Sequence, residues 1–174
     1  MANTTVNLIR QPIGAGGLLF DLPVDGGSKI YEGSLVCQLT ATGAVVPYST
    51  ASSGVCVGVA QHYSDNTAGS DGDKRIQVES KRLFALKNGA GGDAFSEASL
   101  IGAVVYGSDD NTVADNSASA TRKAVGFFFG MESDGRVRVF IDPPLAALVN
   151  ALATLTDAPA TADALRDNIV SSLG

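Results

Sequence analysis

His62 is the one histidine of the chain, so an acyl-transfer triad or a zinc site would have to be built around it alone. No Gly-x-Ser-x-Gly elbow accompanies it. A zinc site drawn from His62, Cys37 and Cys56 lacks the paired ligand spacing that such sites use. The loop Gly89-Ala90-Gly91-Gly92-Asp93-Ala94 matches the loose form of a dinucleotide fingerprint, but no helix of useful length follows it and no βαβ unit surrounds it, so it reads as a β loop. Asp65, Asp71 and Asp73 crowd one loop and Asp109, Asp110 and Asp115 another. Such carboxylates hold calcium only at the right spacing, and the twelfth positions from Asp65 and Asp71 are Ile76 and Arg82, not acids. They read as solvated turns. The expectation is a chain with no catalytic, metal or cofactor site, and not an enzyme.

The remaining reactive residues point the same way. Cys37 and Cys56 lie in valine-rich runs, where cysteine behaves as a small apolar residue, and two buried thiols are expected in preference to the alternative, a disulfide between them. Lys74-Arg75, Lys81-Arg82 and Arg122-Lys123 flank apparent strands as isolated pairs. With a net charge of −6 and a pI of about 4.6, the chain lacks the concentrated cations that grip phosphate backbones, and a nucleic-acid partner is not expected. No apolar run is long enough to span a bilayer, and the first ten residues carry no signal-peptide core, so no membrane partner is expected.

The elements that carry these residues are short. Hydrophobic residues make up 45% of the 174 and charged residues 17%, with 20 glycines, a balance that favours a packed core over disorder. A chain of 17.7 kDa can bury about two-thirds of its surface. From residue 18 to 142 strand-like runs alternate with turn residues, at 34–40, 44–46, 55–62, 75–79, 83–87, 103–106, 112–114, 124–131 and 136–141, with no helical periodicity. Strands this short indicate an all-β fold, a small Gly-rich sandwich or barrel. Asp134-Gly135 between Phe127–Met131 and the run from Arg136 to Ile141 marks a hairpin, with Val137, Val139 and Ile141 on one face and Arg136 and Arg138 on the other. The segment 1–17 reads as an N-terminal arm, whose Val6-Asn7-Leu8-Ile9 has strand character before Pro12 and the glycines at 14, 16 and 17 interrupt it.

An internal repeat is visible. Gly33-Ser34-Leu35-Val36-Cys37 resembles Gly102-Ala103-Val104-Val105-Tyr106, and Val57-Gly58-Val59 resembles Val125-Gly126-Phe127. The offsets, 69 residues (33 to 102) and 68 (58 to 126), keep the halves nearly in register, as a duplicated β unit packed against itself would. Strand alternation puts Phe127 and Phe129 on one face and Phe128 on the other. With the first two in the core, Phe128 faces outward, to be covered by another subunit or by the chain's own loop or helices.

After Asp142 the pattern turns helical, giving a C-terminal extension over 143–174. Asp142 caps a helix opening at Pro143-Pro144, and Leu145, Leu148, Val149, Leu152 and Leu155 share one face. Asp157-Ala158-Pro159 stops it, and Thr161 caps a second helix with Leu165, Ile169 and Leu173 on one seam. This helical hairpin packs either on its own β body or on a neighbouring protein.

Beyond these readings, about two-thirds of the chain resembles the small phage capsid decoration (cement) proteins. The resemblance rests on the order Glu32-Gly33-Ser34-Leu35-Val36, Gly43-Ala44-Val45-Val46-Pro47 and Gly54-Val55-Cys56-Val57-Gly58-Val59-Ala60. The theme recurs in Ile101-Gly102-Ala103-Val104-Val105-Tyr106, Asn111-Thr112-Val113 and Ala124-Val125-Gly126-Phe127, and closes at Asp134-Gly135-Arg136-Val137-Arg138-Val139-Phe140-Ile141. It implies a β domain over 18–142 that assembles as a homotrimer on the outer capsid surface and bridges major capsid subunits, in a virion protein made in the host cytoplasm. Capsid contact is then expected from Asn7, Leu8, Ile9 and Arg10 of the arm, added as an extended strand, and subunit contact from Phe128. The helical extension departs from the family pattern. Alternatives are a head-fibre or tail component, or a carbohydrate-binding adhesion module, which the absence of tryptophan and the presence of only four tyrosines disfavour.

Overall fold

The computed structural model describes residues 16–153. Among them a first set of strands runs β1 (Leu18–Pro23), β2 (Lys29–Ile30), β3 (Leu35–Leu39), β4 (Val45–Pro47), β5 (Gly54–Ala60), β6 (Ser64–Asp65) and β7 (Arg75–Ser80). The second set is β8 (Arg82–Asn88), β9 (Val104–Gly107), β10 (Thr112–Ala114), β11 (Ala124–Met131) and β12 (Val137–Ile141), followed by helix α1 (Pro143–Ala153). The all-β fold with a C-terminal helix therefore stands. The strand positions expected from residue 34 onward agree to within a few residues. Two features were not anticipated: the pair β2–β6, and β1, whose residues open the β body beside the expected arm.

The chain is a duplication. The first sheet has the order β1-β7-β5-β3-β4, and the second closes as a barrel, β10-β8-β12-β11-β9. Apart from the short pair β2–β6, each strand pair of one unit has its counterpart in the other at the same register. Cys37 faces Cys56 and Val36 faces Gly58, leaving Val57 as an extra residue; Tyr106 faces Ala124 and Val105 faces Gly126, leaving Val125 extra. Phe20 pairs with Val78 as Phe84 pairs with Val139. The parallel pairing of Asn88 with Val113 that closes the second barrel is matched by the single bridge from Val24 to Val45. The entry turns match as well: Gly33 N–H donates to Ala60 O and Gly102 N–H to Phe128 O, each at 2.8 Å, with φ of 81° and 87° that glycine alone adopts cheaply. The first unit is thus a second, barely closed copy of the barrel.

The cores follow the duplication. Val24, Val36, Val45, Val57, Ile76 and Val78 fill the first unit, and Val105, Val113, Val125, Val137 and Val139 with Phe84 and Leu86 fill the second. The second cluster continues onto Leu35, Cys37, Cys56 and Val59, the opposite face of β3 and β5. Of their counterparts, Val104, Tyr106 and Phe127 are only half-buried, and Ala124, the counterpart of Cys56, is buried with Asn150 of α1 bonded to it. One unit's outer face therefore packs on the other without a reciprocal contact, a front-to-back arrangement.

Candidate functional site

Most of the residues singled out for chemistry make bonds within the described part of the chain. His62 is exposed just beyond β5. Asp65 accepts hydrogen bonds from Thr67 Oγ1 (2.6 Å) and Tyr63 Oη (2.8 Å) and pairs with Lys29; these bonds hold its carboxyl well below the usual range. Asp71 accepts from Gly26 N–H and Asp73 from Ser70 N–H, each at 2.8 Å. Asp109 accepts from Asn111 and Thr112 N–H, and the buried Asp110 accepts from Ser34 Oγ at 3.2 Å. The bonds of Asp65 with Tyr63 and Thr67, Asp73 with Ser70, and Asp109 with Asn111 and Thr112 are local turn contacts, whereas Asp71 and Asp110 tie distant segments together. The loop Gly89–Ala94 holds a 3₁₀ turn, Gly91–Asp93, whose Asp93 is gripped by Arg122 at 2.7 Å. Cys37 and Cys56 are free, buried and directly opposed across β3 and β5. Burial pushes the Cys56 thiol up to about 12 and raises that of Cys37. Of the basic pairs, Arg75 binds Asp21, Lys81 binds Asp142, Arg82 binds Glu79, and Lys123 Nζ donates to Ser52 O.

One expectation is corrected and one open alternative is narrowed. Phe128 does not face outward: it is 1% exposed and stacks on Phe95 with ring centroids 4.9 Å apart, while Phe129, at 42%, points out. Alternation within the run holds, but the bulge at Val125 sets the phase so that Val125 and Phe128 both turn inward. Phe128 therefore belongs to the barrel core and presents no surface for subunit contact. Of the two placements left open for the helical extension, α1 lies against β5 and β11 of its own β body, but its leucines do not face them. Leu145, Leu148 and Leu152 are 44, 42 and 39% exposed. The side held against the barrels carries buried Ala146 and Asn150, whose Oδ1 accepts from Ala124 N–H (2.7 Å) and whose Nδ2 donates to Ala124 O (3.2 Å). A small alanine lets the helix approach closely, and a two-bond amide clamp fixes its rotation, so the leucines turn away. Leu155 and the second helix lie outside the described residues, as do Asn7, Leu8, Ile9 and Arg10.

The surface so created is the candidate site. Leu18, Leu19 and Phe20 of β1 and the three α1 leucines are most of the large exposed hydrophobics among the described residues. Between these two elements opens a cavity of about 270 Å³, walled by Leu18, Phe20 and Leu22, by Val57, and by Pro143 and Pro144, with Gln38, Ser80 and Lys81 completing it. Sequence reasoning expected no strand over residues 18–23 and missed this surface. The signal was present, since Leu19-Phe20-Asp21-Leu22 repeats as Leu83-Phe84-Ala85-Leu86.

Fold and site together define an all-β protein of two small β units with an exposed apolar surface among the described residues. No family model, curated protein or solved structure matches the chain.

Proposed function

We propose that this chain is a structural virion protein of a tailed phage, which binds the outer surface of the assembled capsid and cements neighbouring major capsid subunits, working as a homotrimer and without catalysis. The observation that carries the reading is the exposed leucine stripe of α1, held away from a body whose aspartate clusters are engaged in its own bonds. Contiguous apolar surface rimmed by polar residues is how a soluble protein meets a protein partner. An acidic chain suits a position facing solvent rather than DNA. Ligands that bind only the expanded lattice stabilise it by mass action, by about 2.7 kcal/mol at a hundred times Kd. Three linked contacts in a trimer add effective concentration.

The test is co-sedimentation with undecorated expanded capsids, alongside mass by light scattering. The wild-type chain should pellet with the capsids. The variant Leu145→Ser/Leu148→Ser/Leu152→Ser should stay in the supernatant with its melting temperature retained. A wild-type chain that binds no head lattice, or a triple variant that binds as well as wild type, overturns the reading.

A further inference from the structure

Because the two units are duplicates, each serves as a control for the other, and one end of them differs. In the second barrel the end at Arg82, Gly107 and Ile141 is plugged by Tyr48 of the first unit. Its ring lies 2.3 Å from where a Cβ on Gly107 would stand, so the ring takes the place of an inward side chain there. The hydroxyl donates to Gly107 O (3.3 Å) and accepts from Lys123 N–H (3.2 Å). By strand register the same end of the first unit lies at Leu18, Gln38 and Ser80, and the cavity of about 270 Å³ is there. The residue matching Tyr48 in the second unit is Asn116, polar and bonded to Asp93 at 2.8 Å, so the plug is not repeated.

The cavity wall is not uniformly apolar. Leu18, Phe20, Leu22 and Val57 supply hydrocarbon, and Phe20 is 38% exposed where its counterpart Phe84 is fully buried. Ser80 stands where the second barrel has Ile141. It is fully buried, and its Oγ has no hydrogen-bond partner among the described residues. A buried hydroxyl left unpaired is costly, so an acceptor placed beside it recovers a bond. Lys81 comes next, and strand alternation would turn it to the opposite face. Its φ of 53° breaks the alternation, and both residues line the cavity. The ammonium has three donors, of which the contact with Asp142 at 3.4 Å uses one. Gln38, the other polar residue of the wall, has its amide nitrogen turned to Gly43 O at 2.9 Å. Ser80 and Lys81 therefore make one polar end, a hydroxyl beside a cation, on a hydrocarbon pocket.

We propose that this end of the first barrel binds a medium-chain carboxylic acid, its alkyl chain among Leu18, Phe20, Leu22 and Val57 and its carboxylate accepting from Ser80 Oγ and Lys81 Nζ. The size follows from the volume: at ~30 Å³ for each water-sized group the cavity takes about nine non-hydrogen atoms, a chain of about eight carbons with the carboxylate at the polar end. Bonds from an ammonium to a carboxylate are charge-assisted and stronger than neutral ones, which fixes the orientation of the chain. The ligand fills in the first barrel the end that Tyr48 fills in the second. The proposal concerns the free chain and stands apart from the capsid reading, which co-sedimentation tests.

Equilibrium dialysis of the full-length chain against radiolabelled octanoate tests it. One octanoate should be retained per chain, and unlabelled octanoate should displace it. Octylammonium has the same alkyl chain but no acceptor, and it meets Lys81 with like charge, so it should not displace the label. Ser80→Ala keeps the space and removes the donor, and should weaken binding about tenfold, as loss of a hydrogen bond to a charged group does. Ser80→Ile copies Ile141 into the cavity and should abolish binding; the alanine variant gives its answer whether or not the isoleucine variant folds. No retention at millimolar octanoate, displacement by octylammonium as effective as by octanoate, or undiminished binding by either Ser80 variant each overturns the proposal.

Discussion

Gly58 and Gly126 hold the same place in the two units, and the same atom explains both. A Cβ on Gly58 would stand 2.3 Å from Glu79 O, and one on Gly126 would stand 2.4 Å from Phe140 O, while Glu79 and Phe140 are themselves counterparts in register. Neither carbonyl can retreat without breaking its ladder. Gly58→Ala and Gly126→Ala should each cost about 1–3 kcal/mol by overpacking, read as a lower urea midpoint at constant slope. Asp93 makes a different residue-scale prediction. Its hydrogen bond from Arg122, then that from Asn116, hold its carboxyl at about 2. A depressed folded value means that the stabilisation is present above the unfolded value of about 3.9 and is lost as pH falls toward about 2. Asp93→Asn should flatten stability against pH across that window; an unaltered acid limb would remove Asp93 from the account. The two thiols, both raised by burial, should resist alkylation at pH 8 in the folded chain and react fully in denaturant, since the thiolate is the reactive form.

At the scale of elements, α1 is set by one amide and one small residue. Asn150→Ala leaves the N–H and O of Ala124 without their partners, which should cost about 1–3 kcal/mol if water does not replace them. The wild-type preference for a clamp over a leucine-packed helix is a matter of geometry: Ala146 is fully buried, and a helix lying that close cannot seat leucines on the same side. The periodicity that grouped Leu145, Leu148 and Leu152 was legible from the chain, although Val149, placed on the same face, is half-buried and Leu155 lies outside the described residues. Which way that face points depended on Asn150 reaching Ala124, residues 26 apart, and no local pattern announces such a contact. β1 was partly legible for the opposite reason. Its Leu-Phe-x-Leu motif is repeated in β8, but Pro23 and the flanking glycines resemble an arm until the pairing with β7 is known.

For the whole molecule, the duplication predicts unequal rigidity. The second barrel is closed by pairing of β8 with β10 and plugged by Tyr48, while the first is joined by one bridge and holds a cavity. Amide hydrogen exchange should therefore show greater protection for β8, β11 and β12 than for β1 and β4. Equal protection in the two units would count against the asymmetry. Tyr48→Ala should cost about 3–5 kcal/mol, as large aromatic truncations in cores do, and should loosen the second barrel although Tyr48 belongs to the first.

What the amino-acid sequence determined alone was everything that depends on near neighbours. Valine-rich runs and glycine turns specified the short strands and the Asp134-Gly135 hairpin, and the Gly33 and Gly102 motifs disclosed the repeat. Tertiary structure decided what depends on distant partners: the inward turn of Phe128, set by a bulge against β9; the insertion of Tyr48 beside Gly107; and the outward leucines of α1. The division has a physical cause. Backbone conformation responds to adjacent residues, whereas the face a side chain presents is chosen by packing among segments that meet only after the chain has folded.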